Sequence, residues 1–297
     1  MKKTLLILVV FTFVLNLSAQ DSTLIYQKRK RVLTYSAAAG YAGSMTLLYQ
    51  AWYKNYDQST FHFYNDNNNW MLSDKFAHAF NSYQLSRLGY EASQWAGYSN
   101  NSSVWIGGAT GFAYLTIVEV LDGFSADWGA SPGDLVANTV GSALFISQEK
   151  LWDEQRIGLK LSYHSTKFND YRPDLLGSNE IESILKDYNG LTIWLSGNLN
   201  DFFNKKEIPD WLNIAVGYNA YGMTGAASNS LSYNGNPIPE FDRTKRFLLS
   251  PDIDWTKIES NSRFVTLLLK GLSFIKLPAP ALEWNQRKGL KVHLLYF

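Results

Sequence analysis

Residues Val118–Gly141 read VEVLDGFSADWGASPGDLVANTVG. The stretch ends one apolar run, crosses a polar, glycine-rich turn and starts another apolar run. Glu119, Asp122, Asp127, Asp134 and Asn138 crowd into it, between segments that otherwise avoid charge. Ser131-Pro132-Gly133-Asp134 carries a helix-start signature: serine at the cap, proline in the first turn and an acid three residues after the serine. Two apolar helices joined by a tight turn point to a close-packed bundle, so this stretch decides the fold of the first half of the chain.

Working outward, Asp134, Asn138, Gly141 and Phe145 share one face of the helix that follows the turn. The helix before it runs from Ser102 to Leu121, and Gly107-x-x-x-Gly111 gives it a close-approach face. Gly108, Phe112, Leu115, Glu119 and Asp122 lie along one side. Two acids at a helix C-terminus oppose the helix dipole and call for a compensating partner. A partner lies upstream in a helix expected over Leu72–Trp95 and capped by Ser73, where Asp74, His78, Asn81, Leu85, Leu88 and Ala92 form an inward stripe. Polar groups buried on such a stripe need partners of their own. Leu33–Tyr53 is a further uncharged helix with small residues, Ser36, Gly40 and Ser44, at every fourth position.

Beyond Trp152 the period changes from helical to alternating at Ile157–Tyr163, Ile214–Tyr218, Phe247–Leu249 and Leu290–Tyr296, which reads as strands. Helices are expected over Asn179–Lys186, Gly190–Phe203 and Arg263–Phe274. The chain ends in Phe297 after an alternating strand, as outer-membrane barrels do, but fewer than the eight strands of a small barrel are legible. The fold class is therefore α+β, mainly helical. An N-terminal bundle of about four small-residue-rich helices precedes a C-terminal part with a few antiparallel strands and short helices. The expected division is a secretory signal peptide over 1–20, a helical bundle carrying the Asp/His/Glu cluster over 21–155, and a mixed α/β region packed on it over 156–297.

The leader reading rests on Lys2 and Lys3, an apolar run from Leu5 to Leu17 and small residues at Ser18-Ala19. It places the protein outside the cytoplasm, in the periplasm or at the outer membrane, and its style is Gram-negative. The basic cluster Lys28–Arg31 suits either anionic head groups or a solvated helix start. A net charge of +1 argues against nucleic acid as a partner. The 297 residues include no cysteine, which removes disulfides, thiol catalysis and lipid attachment at a cysteine. With 46% hydrophobic residues the chain can bury a sizeable core.

Asp74-Lys75-x-x-His78, then Glu119-x-x-Asp122-Gly123, then Ser131-x-Gly133-Asp134-x-x-x-Asn138-x-x-Gly141 resembles the YfiM-like family of periplasmic lipoproteins, whose function is unknown. Asp187–Gly190, Pro209–Leu212 and Leu277–Glu283 resemble longer members from Bacteroidetes-type bacteria. The Asp-Lys-x-x-His and Asp-x-x-x-Asn elements are also distantly similar to VanZ-like membrane proteins, which implies a shared helical core with polar residues facing inward. The absence of cysteine departs from the lipoprotein pattern, and neither family implies a catalytic residue.

These residues support three readings. The first is a membrane-associated envelope protein with a structural or binding role, in which Asp74, Lys75, His78, Glu119, Asp122, Asp134 and Asn138 form a buried polar network, His78 bonding Asp74 or Glu119. A membrane lipid or other envelope component is then the expected partner. The second is an envelope hydrolase or transferase acting on a lipid, glycan or peptide precursor, with His78 as general base and Glu119 or Asp122 orienting it or serving as acid. The third is a metal protein, with His78, Glu119, Asp122 and Asp134 supplying one nitrogen and several oxygens. No His-x-x-x-His supports zinc, so no metal ligand and no cofactor is assigned.

Overall fold

The computed structural model describes residues 22–54, 56–203 and 208–297; the signal peptide expected over 1–20 lies outside them. Four long helices come first: α1 (Ser22–Leu48), α2 (Ser73–Trp95), α3 (Asn100–Asp122) and α4 (Pro132–Trp152). The later part carries β1 (Ile157–Tyr163), α5 (Pro173–Leu176), α6 (Glu180–Lys186), β2 (Leu191–Asn198), α7 (Leu199–Phe203), β3 (Leu212–Tyr221), β4 (Ser232–Tyr233), β5 (Asn236–Pro237), β6 (Thr244–Ile253), α8 (Arg263–Leu272), β7 (Ala279–Asn285) and β8 (Gly289–Tyr296). With 48% helix and 22% strand the fold is α+β, mainly helical.

Helix α2 is the centre of the bundle, gripped by α3 and α4. A Cβ added at Gly111 would lie 2.1 Å from the Ser82 carbonyl oxygen, and one at Gly141 2.1 Å from that of Ala79. The glycines thus bring backbone against backbone. Such contact leaves no room for large side chains, so the inward seam of α2 runs through His78, Ser82, Ser86 and Ser93. This corrects the expected stripe: Asn81 and Leu88 are exposed. Ser82 Oγ donates to the Asn138 carbonyl at 2.7 Å, and Ser86 Oγ to that of Ser82 at 2.8 Å, so the seam satisfies itself. The small residues of α1 do no comparable work, since a Cβ at Gly40 or Gly43 would meet nothing within 4 Å. That helix docks instead through Arg29, which donates to the Trp95 carbonyl, and through Lys30 over the Tyr98 ring.

Six strands form one antiparallel sheet in the order β1-β2-β3-β6-β7-β8, beside a small β4–β5 hairpin. Its residues sort by face with inverted polarity. Lys160, Ser162, Ser196, Asn198, Asn213, Asp252 and Glu283 are buried on one face. Lys160 pairs with Asp252 at 2.7 Å, Ser196 donates to Asp252, and His293 pairs with Glu283 at 2.8 Å. The opposite face is an apolar ladder in register: Leu195 beside Val216, Val216 beside Leu249, Leu249 beside Leu282, and Leu282 beside Val292. Its β1–β2 corner is covered by the bundle, where Leu159 and Ile193 join Phe80, Tyr83, Val104 and Phe145 in one core. The rest of that ladder is exposed.

The sheet curls until its edges approach. Thr192 of β2 meets Tyr296 of β8 through their hydroxyls at 3.1 Å. The free edge of β1 is met by the segment after α8, with Leu161 donating to Phe274 O and Lys276 donating to Leu161 O. Gly190–Phe203 is not the expected helix: Thr192, Ile193 and Trp194 sit in the alternating strand β2, and only α7 is helical.

Candidate functional site, a buried carboxylate and imidazole cluster

The stretch that decided the fold also builds the site. The loop 57–66 lies along the 123–131 turn, with His62 N donating to Gly123 O and Tyr64 N to Ala130 O. Gly129 admits this loop, since a Cβ there would strike Tyr64 and His62. His62 is no ligand; its Nε2 lies 2.6 Å from the Trp128 carbonyl. Trp128 packs edge-on against Tyr56.

Ser131 caps α4 as expected, its Oγ accepting from Asp134 N at 3.1 Å. The reciprocal bond of a capping box is made by a different residue. Glu119, from the end of α3, accepts from Ser131 N at 3.0 Å through Oε2. That substitution frees the Asp134 carboxylate from helix capping and turns it toward α2. Ser73, by contrast, caps nothing. Helix α2 begins after Trp70, Met71 and Leu72, three consecutive residues with φ of 49°, 51° and 76°. Left-handed backbone at such residues costs on the order of 1–3 kcal/mol each and persists only where surroundings enforce it. Trp70 N donates to Ala226 O, and the Tyr218 hydroxyl donates to Met71 O. The sheet side thus fixes the angle at which Asp74, Lys75 and His78 enter the cluster.

Lys75 Nζ sits among three carboxylates, 2.7 Å from Asp66, 2.8 Å from Asp134 and 3.2 Å from Asp74. Tyr188 donates to Asp74 Oδ1 at 2.7 Å, and Tyr53 to Asp122 Oδ1 at 2.6 Å. His78 Nδ1 lies 3.1 Å from Asn138 Oδ1. The imidazole is therefore bonded neither to Asp74 nor to Glu119, which corrects that expectation. Its Nε2 instead faces three carboxylate oxygens at ion-pair distance, Glu119 at 3.7 Å, Asp74 at 3.8 Å and Asp134 at 3.9 Å. All seven residues expected in the network converge here. Asp66 and Tyr188 were missed because they come from segments with no helical period, and Tyr53 because it ends the expected helix 33–53, whose small-residue pattern marks no polar face. Asp127 contributes no hydrogen bond or ion pair to the cluster, whose members otherwise come from the quoted stretch, α2 and these three segments.

Burial, partly offset by the His78 charge, raises the Glu119 carboxyl to about 8. Burial and the Asp74 charge raise Asp134 to about 6. Burial would raise Asp74 too, but His78 and Lys75 outweigh it and hold that carboxyl below its usual range. Burial would lower His78, and Asp74, Asp134 and Glu119 together raise it instead. Folded Glu119 and Asp134 thus keep protons that the unfolded chain releases, so stability falls as pH climbs from the ordinary carboxyl range toward 8. His78 acts in the same direction, its contribution being lost as pH rises through its folded value. Asp74 acts oppositely, its contribution being lost in acid. The urea midpoint in EDTA will be higher at about pH 5 than at about pH 8, with a slope of up to ~1.4 kcal/mol per pH unit for one such group. Glu119→Gln will flatten that slope; an equal or higher midpoint at the alkaline end contradicts the assignment.

Residues 62–148 match a family described as "Predicted periplasmic lipoprotein (DUF2279)". The matched span holds every member of the cluster except Tyr53 and Tyr188, and it ends before the sheet begins. No curated protein and no solved structure matches the chain. The family match supports an exported, periplasmic or membrane-associated location.

Proposed function

We propose that this chain is a membrane-associated envelope protein of the YfiM-like kind, a longer Bacteroidetes-type member, with a binding role for its buried cluster. The observation that carries the membrane contact is the inverted polarity of the sheet. A sheet that buries Lys160, Asp252 and Glu283 while leaving Val292 71% and Leu294 88% exposed is arranged for an apolar surrounding. Helix α8 presents a second exposed apolar surface. Phe264, Leu268 and Leu272 lie on one side of it, and Arg263 and Lys270 on the other, as in helices that rest in a head-group layer. The family is described as lipoproteins, yet none of the 297 residues is a cysteine. The sheet face and α8 then serve in place of a thioether-linked lipid. Helix α3 is the described helix long and apolar enough to cross a membrane; α2 and α4 clasp one face of it, and Trp105, Phe112 and Val120 are exposed on the rest. The distant VanZ likeness fits the same bundle.

Flotation with vesicles containing about one-third anionic lipid tests this reading. The purified chain is expected to float with the vesicles, and Val292→Lys/Leu294→Lys to reduce bound protein at least tenfold. Those side chains are exposed, so the fold is retained. Equal flotation of the variant, or a stable dimer sealed through β8 in place of vesicle binding, overturns it.

A second reading, an envelope hydrolase or transferase, draws on one observation: His78 and Glu119 lie 3.7 Å apart, with the Glu119 carboxyl raised to about 8. It requires a substrate to reach an imidazole whose side chain is 16% exposed and a carboxylate that is 2% exposed. That steric demand favours the binding role. If His78→Gln and Glu119→Gln stay folded and lose complementation of a deletion strain without losing any bound ligand, the chemical role wins.

A further inference from the structure

Three carboxylates surround the imidazole of His78. Nε2 of the imidazole is 3.7 Å from Glu119 Oε1, 3.8 Å from Asp74 Oδ1 and 3.9 Å from Asp134 Oδ1. Ligand atoms of Asp74, His78 and Asp134 all fall within 4.8 Å of one another. These separations are too long for hydrogen bonds. The distances to Nε2 are slightly longer than those between ligands of one ion, since atoms ~2.0–2.2 Å from a tetrahedral centre lie roughly 3.3–3.6 Å apart, so the carboxylates would draw in on binding.

The decisive atom is Glu119 Oε1. Glu119 is 1% exposed, its Oε2 is engaged by Ser131 N, and Oε1 has no hydrogen-bond partner. It faces Nε2 of His78 at 3.7 Å. Asp134 Oδ1 also lacks a hydrogen bond, its one close neighbour being the Lys75 ammonium at 2.8 Å. A buried carboxylate oxygen left without a donor is costly, and Glu119 Oε1, directed at an imidazole nitrogen, calls for a positive partner.

The surrounding residues match the way metal ligands are held. Asn138 Oδ1 accepts from Nδ1 of His78, which fixes the ring and leaves the Nε2 lone pair toward the carboxylates. Tyr188 steadies Asp74, Ser131 N steadies Glu119, and Lys75 steadies Asp134. The charge count points the same way. Asp66, Asp74, Glu119, Asp122 and Asp134 face a single ammonium and one imidazole from α2, α3, α4 and the preceding loop. One imidazole and three carboxylates suit a first-row divalent ion better than calcium, which takes an all-oxygen shell, or thiophilic copper(I).

We propose that Asp74, His78, Glu119 and Asp134 form a binding site for one divalent transition-metal ion of the zinc and manganese class. This deepens the binding role given to the cluster and is independent of the membrane contact. The ion would join the end of α3, the start of α2 and the start of α4, so its ligands span the helices that meet at the turn. Asp122, held by Tyr53, stands outside the ligand set.

Purified full-length chain, stripped with EDTA and dialysed against Zn2+ or Mn2+, is expected to hold close to one equivalent by elemental analysis. Its thermal midpoint is expected to rise with added ion. Glu119→Gln and Asp134→Asn keep size and shape and are expected to weaken binding at least a hundredfold, whereas Asp122→Asn is expected to retain it. The Co2+-loaded wild-type chain gives a readout that needs no variant: visible absorption of a nitrogen- and oxygen-ligated ion, displaced by Zn2+. Absence of bound ion and of any thermal shift overturns the proposal. So does undiminished binding by Glu119→Gln, which would assign the ion to another group such as His293 and Glu283. Vesicle flotation run on the same samples separates the readings, because loss of metal with retained flotation leaves the membrane contact standing.

Discussion

Lys75→Met is expected to destabilise the chain by about 3–5 kcal/mol, the range for stripping the partner from a buried ion pair. Methionine fills the volume of the lysine stem, so the loss is electrostatic. Lys75 is bonded to Asp134 and Asp74 and paired with Asp66, and its ammonium is held protonated well above the usual lysine range, burial notwithstanding. A cation whose pKa is raised stabilises the fold at every pH below its unfolded value of 10.5, so the effect covers the neutral range. Without it, Asp66, Asp74 and Asp134 face one another with only His78 for compensation. Protonation supplies partial relief, since Asp134 already holds its proton up to about 6. The deficit is therefore expected to be smaller in mild acid than above neutrality. Urea denaturation of both proteins measures it. A difference under about 1 kcal/mol at neutral pH would show that the ion pairs contribute no more than surface bridges do.

Gly111→Leu is the second large expected effect, about 3 kcal/mol or more. A Cβ at this position would lie 2.1 Å from the Ser82 carbonyl oxygen and 2.3 Å from Ser86 Oγ. The first obstacle is backbone and cannot rotate away, so α2 and α3 must part. Overpacking of this kind usually costs about 1–3 kcal/mol, and helix separation adds the loss of the serine seam. It also draws Glu119, two turns further along α3, away from His78. Gly108→Ala is a comparison of intermediate cost, because its Cβ would meet the Ile146 side chain, which can shift, rather than backbone. Gly40→Leu is the control, being open on all sides within 4 Å. Calorimetric unfolding is expected to rank Gly111→Leu far below both; equal thermal midpoints for all three would remove the case for backbone contact at this crossing.

That ranking also shows where sequence pattern suffices and where it fails. The Gly107-x-x-x-Gly111 face and the Ser36, Gly40, Ser44 stripe look alike as strings, but the first packs on α2 and the second on nothing described. Spacing of small residues permits close approach without naming an approaching partner. The helix pair around Val118–Gly141 was legible because its caps are local chemistry: Ser131 and the acid after it bond within four residues. The convergence of His78 with Glu119 and Asp134 was legible because polar residues interrupt apolar faces. The inward face of α2 was not, since glycine partners reverse the usual rule and place serines inside and Leu88 outside. Strand β2 escaped for a related reason: Thr192, Trp194, Ser196 and Asn198 line the buried polar face of the sheet, so hydrophobic alternation reads inside out. Asp66 and Tyr188 join the cluster through loop and inter-half contacts that no periodicity encodes, and Tyr53 reaches Asp122 from a helix end whose small-residue spacing gave no sign of a polar contact.

The meeting of β1 with residues 274–276 sets the order in which the chain can finish folding. Helices α2, α3 and α4 close on contacts short in sequence, and the bundle is complete once Trp152 has emerged. Strand β1 follows within a few residues, yet its outer edge stays unpaired until Phe274 and Lys276 arrive, more than a hundred residues later. Closures of such long separation are slow, and an open edge invites pairing with other chains meanwhile. A protein passed through a membrane from its N-terminus would expose that edge for the whole transit of the intervening chain. The slow step of its maturation is thus expected to be the arrival of residues 274–276, and the period of greatest risk falls before they reach the compartment.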